Sequence, residues 1–158
     1  MKTEARKTTE VLHGLLKINN DRIAGYLKAA EETNEVDLKA FFTERAKESK
    51  ENVLDLIREI KKTNDYMIWS RTTLSGKVYR VWMDVKAALN GKDSRSILNS
   101  CEFGEEVTQT AYRDAIASNE LTTEARQLLR NQHVDLIASY DIIKNFKEGY
   151  TVAFTKTF

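Results

Sequence analysis

Residues 12–30 read LHGLLKINNDRIAGYLKAA, and the spacing inside this stretch decides the fold. Leu12, Leu16, Asn19, Ile23, Tyr26 and Ala30 recur at alternating gaps of four and three residues. Residues three and four apart share one face of an α-helix, so the set forms a single stripe. The same rhythm returns three times: in Phe42, Ala46, Ser49, Val53, Leu56 and Ile60; in Leu98, Cys101, Glu105, Thr108, Tyr112 and Ala115; and in Leu129, Gln132, Leu136, Ser139, Ile143 and Phe146. Stripes of this kind suit side-by-side packing near +20°. Helices are predicted near 5–33, 35–62, 94–118 and 123–148.

The ends have local causes. Asn34 is expected to cap the second helix, with Asp37 reaching back to it. Asn90-Gly91 ends a helix through a left-handed residue, and Asp93 or Ser94 starts the next. Thr122 caps the fourth helix with Glu124 in its first turn, and Gly149 is expected to close it. Short first–second and third–fourth connections force antiparallel neighbours. The longer second–third connection holds a fifth helix near 74–89, apolar at Leu74, Val78, Trp82, Val85 and Leu89. The fold class is therefore all-α: an antiparallel ferritin-like four-helix bundle with an extra helix in its long crossover. The chain is expected to be a single domain over 1–158, with its core at about 5–148 and a tail at 149–158.

Composition agrees. The 158 residues can enclose one core, and 41% hydrophobic against 31% charged residues is ordinary for a folded domain. There is no proline and there are six glycines, too few turn residues for a sheet-rich fold. With 25 Lys plus Arg against 24 Asp plus Glu, the net charge of +1 speaks against nucleic acid as a partner. No stretch is long and apolar enough for a membrane span, so no membrane partner is expected and a cytoplasmic location follows by default. Cys101 is the one cysteine, which excludes an internal disulfide.

Polar residues interrupt all four stripes: Asn19, Ser49, Glu105 and Gln132. Antiparallel packing brings them into one layer, flanked by Arg22, Arg45, Glu48 and Asp135. A ferritin-like protein builds its di-metal site at this level, with Glu on two helices and Glu-x-x-His on the other two. Here the pairs read Arg45-x-x-Glu48 and Gln132-x-x-Asp135, without histidine and with a cation beside the site. His133 lies about 100° from Gln132 around the helix, and His13 is off its stripe. The layer reads as a buried polar network in which Arg45 or Arg22 neutralises Glu105, with no catalytic residue, metal ligand or cofactor. A carboxylate-only site of Glu48, Glu102, Glu105 and Asp135 for a hard cation is the alternative. Cys101, Tyr26 and Tyr112 fall on stripes and are expected in the core, each tyrosine with one hydrogen-bonded hydroxyl.

Tyr66, Met67, Ile68 and Trp69 form an apolar run between helices, which either caps the bundle end or meets a partner. The tail from Tyr150 to Phe158 alternates apolar and polar residues, a strand-like pattern at a terminus where mobility is the ordinary expectation.

Several motifs together resemble a bacterial family of uncharacterised four-helix-bundle proteins in the ferritin-like superfamily. They are Ile18-Asn19-Asn20-Asp21-Arg22-Ile23 with Gly25-Tyr26, Arg45-Ala46 with Ser49, and Cys101-Glu102 with Gly104-Glu105. Trp82-Met83-Asp84, Lys86-Ala87-Ala88-Leu89 and Gly91-Lys92-Asp93 complete the set, and the resemblance spans about residues 12–146. It implies the ferritin-like fold and, by analogy with bacterial stress proteins, a stress-linked role. The Tyr66–Trp69 run departs from the polar, glycine-containing linker usual there. The expected function is a non-enzymatic bundle acting through protein–protein contact as a homo-oligomer, a dimer or larger. The alternative is a degenerate metal-binding or oxidoreductase-type protein of the same fold.

Overall fold

A computed structural model describes residues 4–62 and 81–156, with side chains described as far as Gly149. Five helices occur among the described residues: α1 (Glu4–Glu32), α2 (Val36–Lys61), α3 (Val81–Ala88), α4 (Ser94–Ala117) and α5 (Thr123–Lys156). The stripes explain them. Every stripe position is buried except Ile23, Val53 and Phe146, which pack partly buried against the core.

Cross-helix contacts give the directions. Thr8 and Arg22 on α1, and Thr33 just after it, meet Glu120 just beyond α4, Glu105 and Ser94 in turn, so α4 runs antiparallel to α1. Arg45 meets Ser139 while Asn52 meets Gln132, so α2 and α5 are antiparallel. Tyr112 meets Gln132 and Glu106 meets Tyr140, which sets α4 against α5 in the same sense. With α1 also packed on α2, the four long helices run side by side.

The caps fall partly where the sequence puts them. The Asp93 carboxylate accepts the Ser96 N–H at 2.8 Å, Thr122 Oγ1 accepts the Ala125 N–H at 3.2 Å, and Gly91 takes φ +69°. Two expectations fail. The N-cap of α2 is Glu35, with no side-chain cap bond. Thr33 Oγ1 accepts the Glu35 N–H at 3.2 Å, so threonine settles that turn and not Asn34. Helix α5 also runs through Gly149 to Lys156, where a helix end at Gly149 and a mobile terminus were expected. Glycine stops a helix by turning left-handed, and Gly149 keeps negative φ, so its weak propensity (~1 kcal/mol) is all that opposes the helix.

Helix α3 has eight residues, too few to stand alone, and it packs on α1 and α4. The residues at 74–80 of the expected crossover helix, and the run at 66–69, lie outside the described residues. Trp82 is completely buried, and its indole fills a notch formed by two glycines. A Cβ on Gly25 would lie 2.6 Å from the ring and one on Gly104 2.8 Å from it, closer than carbon atoms approach. The indole N–H donates to Thr108 Oγ1 at 2.7 Å, and that hydroxyl donates to the Gly104 carbonyl at 2.8 Å. Val81, Val85 and Leu89 complete the docked face, while Met83, Asp84 and Lys86 stay exposed.

Replacing an ordinary helical glycine by alanine adds up to ~1 kcal/mol of helix stability. Gly104→Ala should instead destabilise the protein by about 1–3 kcal/mol through overpacking against Trp82. Gly14→Ala, which meets no neighbour within 4 Å, should be neutral or stabilising. Urea denaturation of the two variants checks this, and equal effects would mean that the notch does not govern α3.

Candidate functional site: a closed polar layer

Asn19 and Arg22, three residues apart on α1, project into the middle of the four long helices, and both are completely buried. The Arg22 guanidinium is the hub. Its Nε donates to Glu105 Oε1 at 2.6 Å and its Nη2 to Glu105 Oε2 at 3.2 Å, a bidentate pair with a carboxylate that is itself completely buried. Nη1 donates to Ser49 Oγ at 2.7 Å and lies 2.9 Å from Glu48 Oε1. One face of the guanidinium rests 5.0 Å from the centre of the Tyr26 ring.

Asn19 organises the second half. Its Oδ1 accepts from Ser49 Oγ at 3.0 Å and from Asn52 Nδ2 at 3.2 Å. Its Nδ2 donates to the Leu15 carbonyl at 2.8 Å and to Tyr112 Oη at 2.9 Å. Tyr112 Oη in turn donates to Gln132 Oε1 at 2.6 Å, and Gln132 Nε2 donates to the Asn52 carbonyl at 3.2 Å. All four bonding positions of the Asn19 amide are therefore used.

At the α2–α5 seam the layer reaches the surface. Arg45 Nη1 donates to Ser139 Oγ at 2.7 Å and to Glu48 Oε2 at 3.2 Å. These two side chains keep 18% and 16% of their surface, so Arg45 neutralises the outer Glu48 and not Glu105. Arg22, Arg45, Glu48 and Glu105 together carry two positive and two negative charges.

Burial is the largest influence on Glu105 and lifts its carboxyl above the ordinary carboxylate range, while Arg22 pulls it back part of the way. For Arg22, burial acts downward, but Glu105, Tyr26 and Glu48 reverse it and the net shift is upward. The Tyr26 and Tyr112 hydroxyls and the Cys101 thiol are pushed up chiefly by burial, so none is poised to ionise. The Tyr26 hydroxyl faces Glu105 without the geometry of a full hydrogen bond.

Seven of the eight residues expected in the layer meet there. Asp135 does not: it is exposed and contributes only its main-chain carbonyl, to Ser139 Oγ at 3.1 Å. Glu102 also points away, paired with Lys147 at 2.9 Å. Asn52 and Ser139 join the network without having been expected in it. Tyr112 lies in the core with its hydroxyl hydrogen-bonded, as expected, whereas the equally buried Tyr26 hydroxyl makes no full hydrogen bond. Ser139 could have been found, since it sits on the fourth stripe. Asn52 is off its stripe and gave no signal.

The donor set left for a cation is Glu48 and Glu105, with a guanidinium 2.9 and 2.6 Å from an oxygen of each. A dication ~4 Å from that charge would be repelled by about 8 kcal/mol at an effective dielectric constant of ~20. These residues do not fit a metal centre. Among the described residues no group of three or more His, Cys, Asp or Glu side chains is placed to hold one.

The chain belongs to the family described as Domain of unknown function (DUF2383), whose profile matches residues 7–118. The match covers α1 to α4, ending at the α4 C-cap, and is shorter at its C-terminal end than the resemblance read from the sequence. No curated protein matches the chain.

Removing one member of a buried ion pair strands the other. Arg22→Ala and Glu105→Ala should each destabilise by about 3–5 kcal/mol. Arg45→Ala, at the partly exposed seam, should lose about 1 kcal/mol. Chemical denaturation with chelator present ranks the three, and an Arg45→Ala loss equal to that of Arg22→Ala would mean that the hub is misassigned.

Proposed function

We propose that this member of the DUF2383 family is a non-enzymatic, cytoplasmic, ferritin-like four-helix bundle that acts through protein–protein contact as a homo-oligomer. The observation that carries the reading is the Arg22 guanidinium between Glu48 and Glu105. At the level where a ferritin-like protein gathers its metal ligands, this chain has a network of two positive and two negative side chains. The antiparallel pairing of α1 with α2 and α4, and of α5 with α2 and α4, together with a long crossover carrying α3, supports the bundle. Among the described residues no helix is long and apolar enough to cross a membrane. A stress-linked role belongs to the same reading through the family resemblance.

Contact with a partner draws support from the apolar Tyr66–Trp69 run in the sequence and from exposed large side chains on three helices. Met83 on α3, Phe103 on α4 and Val134 on α5 are each more than half exposed.

Protein purified without chelator should contain no stoichiometric iron, manganese or zinc, and added metal should leave Tm unchanged. Elemental analysis checks it. One tightly bound transition-metal ion per chain would replace this reading with a metal-binding one. Light scattering at tens of micromolar, where obligate interfaces are saturated, should show a dimer or larger species. A Met67→Ser, Trp69→Ser variant should be smaller on average, and a wild type that remains monomeric would contradict the oligomer.

A further inference from the structure

We draw no further inference here: the strongest candidate, the groove between α1 and α3 walled by Lys17, Asp21, Lys28, Trp82, Met83 and Lys86, carries nothing because nothing in the structure shows what covers it.

Discussion

A guanidinium and a carboxylate taken wholly out of water lose several kcal/mol of solvation each, and the rest of this core is arranged to make that tolerable. Arg22 and Glu105 meet through two bonds, at 2.6 and 3.2 Å. Nη1 of Arg22 finds Ser49 and Glu48, and Arg45 balances Glu48 at the seam. Ser49 in turn donates a hydrogen bond to Asn19, which ties in Asn52, Tyr112 and, through Tyr112, Gln132. Slipping any of the helices by a turn would strand a charge or an amide at this level. An apolar layer resists such a slip far less, since one aliphatic contact replaces another at small loss.

The crossover helix bears on the same level from the side. Trp82 sits between Gly25 and Gly104, next to Tyr26 and Glu105 in sequence, and its ring lies 5.0 Å from that of Tyr26. The Tyr26 ring packs against both the indole and the Arg22 guanidinium, whose Cζ lies 5.0 Å from its centre. The sequence motifs that define the family resemblance gather here: Gly25-Tyr26, Gly104-Glu105 and Trp82. Their joint reading is steric and electrostatic, a notch for an indole beside a buried salt bridge.

The helices were legible because the four stripes depend on local spacing alone, and the polar interruptions Asn19, Ser49, Glu105 and Gln132 were legible as exceptions on those stripes. The hub was harder to see. Arg22 is off the stripe of α1, and arginine is rarely buried, so local pattern assigns it to the flank. Its burial is decided by Glu105, distant in sequence. The choice between Arg22 and Arg45 as that partner likewise depends on helix rotation, which periodicity does not specify. Asn34 and Gly149 misled for a related reason: each residue type is favoured at helix ends, yet neighbouring Thr33 and the unbroken helical φ of Gly149 settled the outcome. The glycine notch could be quoted from sequence but not explained, since its cause is a tryptophan from another element.

The account stands on Arg22 and Glu105 acting as one unit, and a double-mutant cycle measures that most directly. Arg22→Met, Glu105→Leu and the combined variant, denatured chemically with chelator present, isolate the coupling between the two side chains. The account predicts that the double variant recovers much of the loss of either single variant, with a coupling energy of at least about 2 kcal/mol. Losses that add to within about 0.5 kcal/mol would contradict it, because they would show two side chains that do not depend on each other.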